Sequence, residues 1–227
     1  MAPTSRYRSV ADLPASIPVF PLRGVILLPR TELPLNVFEP RYLAMLDDVI
    51  AGQRMIGIIQ PDQTAEAIES PAGRQVGLKR IGCAGRVTAF RELNDGRLQI
   101  TLSGVGRFKV RAEHATDKPY RLVEAGYDGF AADLADDDTA GEIDRDGLLR
   151  VLKVYLDSRR LEADWTAIGR APLEPLINSL STMSPFGAEE KQALLEAGHL
   201  KRRAEILVAL AEMAVAAGNG NPGTTLQ

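Results

Sequence analysis

The sequence predicts an α+β chain, with a small, curved, barrel-like β domain followed by a C-terminal α-helical bundle. Three observations carry this expectation. Near residue 130 of the 227, short Gly- and Pro-punctuated runs give way to sustained helical periodicity. Two alternating runs flank Asn94-Asp95-Gly96, a strong hairpin signal. Beyond residue 146, apolar residues recur at i, i+3, i+4 and i+7.

Taken in order, Ser16–Phe20 and Glu32–Phe38 read as strands. Pro18, Pro21, Pro29 and Pro34 restrict parts of this stretch to edges or bulges, because proline cannot donate to a ladder. Glu39–Gly52 switches to helical spacing, with Tyr42, Met45, Leu46 and Val49 on one face and Gly52 as a C-cap. Arg54–Gln60 returns to strand. Across the hairpin, Leu98, Ile100 and Leu102 share one face, with Arg97, Gln99 and Thr101 on the other. After Gly104-Val105-Gly106, alternation resumes with Phe108 and Val110 inward and Arg107, Lys109 and Arg111 outward. Tyr120–Tyr127 supplies one more strand. Phe130–Asp146 is acidic and Ala-rich, and reads as a linker running into a helix.

Helices follow. Leu148, Leu152, Tyr155 and Leu156 share a face, as do Leu173, Leu176, Ile177 and Leu180. Ser184 and Pro185 suit the N-cap and first position of the next helix. In the last helix Leu200, Ala204, Leu207 and Ala211 are expected inside, with Ile206, Leu210 and Met213 alongside. The resulting divisions are a β-rich domain over 15–128, an acidic linker over 129–145, a helical bundle over 146–217 and a disordered tail over 218–227.

Composition narrows the chemistry. A single cysteine, Cys83, excludes an internal disulfide framework, and two histidines far apart, His114 and His199, offer little to a His-based metal centre. There is no Gly-Lys dipeptide for a P-loop, no His-Glu-x-x-His and no Gly-x-Ser-x-Gly. Gly104–Lys109 opens like a dinucleotide fingerprint but lacks the third glycine and leads into a strand, so a glycine-bordered turn or bulge explains it better. Cys83 reads as a packed structural thiol, His114 and His199 as surface or capping residues, and Asp136–Asp138 as a solvated run, not a cation site. No catalytic residue, cofactor or metal is expected. The apolar stretch Ile17–Pro29 is broken by Arg23 and prolines, and the N-terminus has no apolar signal-peptide core. A soluble, cytoplasmic protein without a membrane partner is the expectation.

The net charge of −3 conceals an asymmetry. Arg74–Arg121 carries 11 Lys/Arg against 4 Asp/Glu, whereas Leu122–Asp146 carries 9 acidic residues against one Arg. Arg97, Arg107, Lys109 and Arg111 would either line a phosphate-attracting strand face or form a solvated face partnered by the acidic linker.

Ile17–Pro61, with its "PVFPLRGVILLP" and "LPLNVFEPRY" segments, resembles the N-terminal substrate-binding domain of Lon proteases, in the stand-alone form found in bacteria. "MIGIIQ", the later "IGCAGRV" and "LSGVGRFKV", and the helical "LINSLSTMSPFGAEEKQALLEA" extend the resemblance over about residues 15–213. It implies a PUA-like β domain followed by a helical bundle. It also implies a non-catalytic module, because 227 residues leave no room for the ATPase and peptidase of a full Lon protease. Such a module would recognise exposed apolar segments of unfolded or partly folded polypeptides, or mediate self-association. The resemblance points to Phe38, Glu39, Arg41 and Tyr42 as the polypeptide contact, although the favoured account of Phe38 and Tyr42 is packing of the helix onto the sheet, with Glu39 and Pro40 as helix-start residues. The alternative is an RNA-binding module, since PUA-like folds elsewhere bind RNA, using Arg97, Arg107, Lys109 and Arg111.

Overall fold

The computed structural model describes residues 7–62, 64, 68–70, 73–135 and 138–219. The first half holds β1 (Ser16–Pro21), β2 (Glu32–Val37), helix α1 (Pro40–Ala51) and β3 (Met55–Ile59). After these come the short strands β4 (Pro61–Asp62), β5 (Ile68–Ser70), β6 (Gly73–Gln75) and β7 (Gly77–Leu78), then β8 (Ile81–Glu92), β9 (Leu98–His114) and β10 (Arg121–Gly126). Two 3-10 turns, Asp128–Leu134 and Asp138–Glu142, lead to α2 (Arg145–Ser158), α3 (Trp165–Arg170), α4 (Leu173–Met183), α5 (Ala188–Glu196) and α6 (Leu200–Asn219). The expected tail beyond Asn219 lies outside the described residues.

The main sheet runs β10-β1-β3-β8-β9-β2, and β10 also pairs with β9. Five strands therefore close into a ring, and β2 hangs on the other half of β9 as an edge. Its proline, Pro34, is tolerated there because an edge strand needs hydrogen bonds on one side only. β1 and β3 are parallel, with Val19 opposite Gly57, and β2 with α1 supplies the crossover that a parallel pair requires. β4 pairs with β7, and β5 with β6, in a side excursion.

β9 can serve three neighbours because it bends. Ala84 faces Gly106 while Gly85 faces Gly104, which leaves Val105 as an extra residue on β9. Thr88 is similarly extra on β8, between the Val87–Leu102 and Ala89–Thr101 pairs. Such bulges raise the local twist and allow a small sheet to close. The Gly-Val-Gly segment is thus a bulge inside one continuous strand. At the expected hairpin, Leu93 N–H donates to Arg97 O (2.8 Å), and Gly96 takes φ +78°, as a three-residue loop demands.

Phe108 fills one side of the ring. Added Cβ atoms at Gly57 and Gly82 would lie 2.8 Å from its ring, so glycine at both positions admits a large side chain to a small barrel. Ile17, Val19, Met55, Ile59, Val105 and Val123 complete that cluster. The other face joins a second cluster in which Phe20, Ile56, Ile58, Cys83 and Leu102 pack with α1 and with Leu152, Ile177, Leu194 and Leu207 of the helices. Sheet and helices therefore share one core.

In the helical half, Leu200, Ala204, Leu207 and Ala211 are buried as the spacing predicts. Met213 is not beside them: it is 65% exposed, because it falls on the opposite side of α6. Nor does Ser184 start a helix. It ends α4, and α5 begins after Gly187, whose N–H donates to the Glu190 carboxylate at 2.6 Å. α3, a helix not expected from the spacing, is capped by Asp164, which accepts the Thr166 and Ala167 N–H groups at 3.0 Å each.

Gly104 offers a test of the closure. Its N–H donates to Thr31 O (2.8 Å) and its carbonyl accepts the Arg30 N–H (2.9 Å), and an added Cβ would overlap the Leu28 carbonyl. Gly104→Ala is expected to cost about 3 kcal/mol of stability, as backbone overlap in a core does, measured as a lowered denaturant midpoint.

Candidate functional site

At the β2–α1 corner, Phe38 projects its ring into solvent and is 65% exposed. Pro40 occupies the first helical turn, and the Glu39 carbonyl accepts the Tyr42 and Leu43 N–H groups at 2.9 and 3.0 Å. The Glu39 carboxylate does not cap the helix. It accepts from Arg41 Nε at 2.9 Å, and the Arg41 guanidinium lies 4.5 Å from the Tyr42 ring centroid. Tyr42 itself is buried, with its ring centroid 4.0 Å from that of Phe20. The four residues thus divide: Tyr42 anchors α1 to the sheet, while Phe38, Glu39 and Arg41 face outward.

The four basic residues do not form one outward face. Arg107 is 3% exposed, which corrects the outward placement expected from simple alternation. Alternation itself holds, with Phe108 inside the ring and Arg107 on the opposite face, but the linker and the end of α5 cover that face, so the buried stretch of β9 runs without interruption from Leu102 to Phe108. Arg97 pairs with Asp95 of its own turn (2.6 Å), and Arg111 pairs with Asp128. Only Lys109 among the four lacks a carboxylate partner among the described residues. A phosphate-binding strand face loses its central member.

Arg107 instead makes the junction between the two halves. Its Nε donates to Asp133 Oδ2 (2.9 Å), Nη2 to Asp133 Oδ1 (2.6 Å), and Nη1 to the carbonyls of Leu195 (3.1 Å) and Ala197. Asp133 also accepts the Arg107 backbone N–H at 2.8 Å. The linker's Phe130 ring lies 4.8 Å from the guanidinium. The end of α5 bears partial negative charge, and Arg107 meets it where the last carbonyls lack helical partners. Arg203 does the same, from Nε to Leu194 O (3.0 Å), and reaches Asn178 Oδ1 at 2.9 Å. Beside them Gln60 donates to Ala188 O (2.8 Å) and accepts the Gly24 N–H (2.8 Å), which ties β3 to α5. The acidic run is therefore partly a seated structural element. Asp136 and Asp137 lie outside the described residues.

An open apolar groove of about 840 Å³ lies between α2 and α6. Leu148 and Ala204 are buried at its base. Val151, Val208 and Val215 are half-buried along it, and Val154 is 55% exposed. The Lys201 ammonium meets the Glu142 carboxylate at 2.8 Å, which sets the starts of the two helices side by side. The expected single apolar face of each helix does not account for the groove, which needs a second stripe. Its signal is Ile143, Val151 and Val154 on one segment and Val208 and Val215 on the other.

None of these places assembles reactive groups. Among the described residues no cluster of His, Cys, Asp or Glu could hold a metal, and no helix is long and apolar enough to cross a membrane. Burial pushes the Cys83 thiol well above its ordinary pKa, which suppresses the thiolate. His114 is exposed at the end of β9, and His199 Nδ1 accepts the Arg202 N–H (3.2 Å) at the start of α6.

The architecture is a closed sheet that shares its core with a helical bundle, with an open apolar groove between α2 and α6. Residues 16–212 match the family model of the ATP-dependent protease La (LON) substrate-binding domain, and the chain belongs to that family. It is 27% identical over 214 residues to Lon protease 2 of Sorangium cellulosum, covering 92% of this chain and 26% of that protein. It is 26% identical over 196 residues to Lon protease of Flavobacterium johnsoniae, covering 85% and 23%. The chain thus spans about a quarter of the length of these relatives. Two solved structures share the fold. They are a Lon N-terminal domain protein from Xanthomonas campestris (TM-score 0.58, 23% identity, 86% of this chain and 97% of that one) and the N-terminal domain of a Mycobacterium avium complex Lon protease (0.63, 17%, 87% and 98%).

Two outcomes test the junction. Arg107→Ala is expected to destabilise the chain by roughly 3–5 kcal/mol, because it leaves Asp133 buried and unpaired, whereas Arg107→Met with Asp133→Leu recovers only part of the loss, since the backbone N–H of residue 107 and the Leu195 and Ala197 carbonyls lose their partners; denaturant titrations measure both. Cys83 should resist alkylation at pH 8 until the chain unfolds, so its labelling rate under denaturant should follow the unfolding curve.

Proposed function

We propose that this chain is a non-catalytic, cytoplasmic binding module that recognises exposed apolar segments of unfolded or partly folded polypeptides. The observation that carries the reading is the groove between α2 and α6. It is large, lined mainly by aliphatic side chains and open to solvent, in a chain of the substrate-binding family. Such a groove gains free energy by removing apolar surface of a bound segment from water, at about 25 cal/mol per Å². Folded proteins have such segments covered, so the selectivity for unfolded chains follows from exposure alone.

Phe38 supplies a second, smaller contact at the β2–α1 corner. Its ring is presented by a helix start that Tyr42 fixes to Phe20, and the Glu39–Arg41 pair flanks it. Tyr42 acts here as a positioning residue.

The test is titration of a fluorescently labelled, reduced and alkylated protein into the full chain without ATP. Binding is expected, with Val154→Asp weakening it by roughly tenfold and Phe38→Ser by a smaller factor. Both positions are exposed, so thermal stability should change little. No detectable binding of the unfolded protein, or equal binding of its native form, would overturn the reading.

A further inference from the structure

We infer that the α2–α6 groove takes an amphipathic α-helix whose polar side is cationic. This rests on the polypeptide-binding reading above and specifies the form and charge of the segment bound.

Form follows from the walls. Both are α-helices, whose backbone N–H and C=O groups are consumed internally along their lengths, and the side chains between them are aliphatic. An extended peptide laid there would bury its own backbone groups with nothing to bond, at roughly 1–3 kcal/mol for each unmet group. A helix satisfies its backbone internally and presents one apolar stripe. Size agrees: on α6 the lining residues run from Lys201 to Ala216. At 1.5 Å per residue that is about 22 Å, or roughly four helical turns.

Charge follows from the rim. Glu142, Asp144, Glu205 and Glu212 line the groove against Arg150 and Lys201. The four carboxylates outnumber the two cations: Lys201 bridges Glu142, Glu205 pairs with Arg202 of its own helix (2.9 Å), Asp144 caps α2 by accepting the Gly147 N–H (3.0 Å), and Arg150 keeps its charge while its Nε donates to the Asp146 carbonyl at 3.3 Å. Glu212, exposed toward the far end, has no partner among the described residues. The rim therefore repels a segment with acidic flanks and attracts one with lysine or arginine beside its apolar stripe.

The experiment uses the full chain and three labelled synthetic peptides of about 16 residues, a length that spans the groove. One carries Leu at i, i+3, i+4 and i+7 with Lys elsewhere. The second replaces each Lys by Glu, and the third scrambles the first so that the stripe is lost. Anisotropy is expected to show the Lys peptide binding at least roughly tenfold tighter than either control, with circular dichroism showing a gain of helix. Val154→Ser should weaken binding of the Lys peptide several-fold while leaving its preference over the Glu peptide in place. Glu212→Lys should reduce it and flatten its dependence on salt, at unchanged thermal stability. Equal affinities for the three peptides, or binding without helix formation, would overturn the inference. If an unfolded protein binds while the Lys peptide does not, only the helical, cationic specification fails. If neither binds, the polypeptide-binding reading fails with it.

Discussion

The constraint on which the rest of the structure depends is a guanidinium taken out of water. Arg107 sits in the middle of the strand that serves three neighbours, and burial of a charge there is tolerated only if every donor is met. Asp133 from the linker meets one edge of the fork, and the carbonyls at the end of α5 meet the other. Five donors in a rigid plane leave little freedom to their partners. Satisfying Arg107 therefore fixes the linker as a 3-10 turn and fixes α5 against the sheet.

Arginine performs this service repeatedly. Arg203 bonds the end of α5, and Arg145 Nη2 gathers the carbonyls of Ile168, Gly169 and Ala171 at the end of α3. Arg30, held in a left-handed conformation (φ 63°), reaches Glu174 and the Asp133 carbonyl. Neither α3 nor α5 has glycine immediately after its last residue, and side-chain cations replace the usual αL cap. These contacts gather on the inner side of the bundle. The outer side, between α2 and α6, is left with aliphatic side chains and no internal partner, and that division of labour creates the groove.

Most of the fold was legible because its signals are local. The Asn94–Gly96 hairpin, the Tyr42–Val49 stripe and the Leu200–Ala211 stripe each follow from spacing over a dozen residues, and the structure matches them. The misreadings share one physical cause, which is that long-range context overrode local pattern. The linker and the end of α5 cover the face of β9 opposite Phe108, so Arg107 could not be seen as buried from alternation alone. The opposed charges of Arg74–Arg121 and Leu122–Asp146 did hold the clue to Asp133, although charge counts name no pair. For the candidate site, the corner at Phe38 was visible and the groove was not. A groove belongs to two helices some 50 residues apart, and each stripe looks incomplete until both are brought together.

The sequence distance between Arg107 and its partners also sets a schedule. The carbonyl of Ala197 lies 90 residues downstream. At a synthesis rate of about 5–20 residues per second, it emerges from the ribosome roughly 5–20 seconds after the arginine itself. All strands of the ring, which ends at Gly126, are made by then, so the β half spends that interval with Asp133 as its early counter-charge and the rest of the fork in water. Final closure must wait for the last two helices. A nascent chain of this protein is thus an open vessel until α5 and α6 have left the ribosome, and that interval is when it has most need of a chaperone.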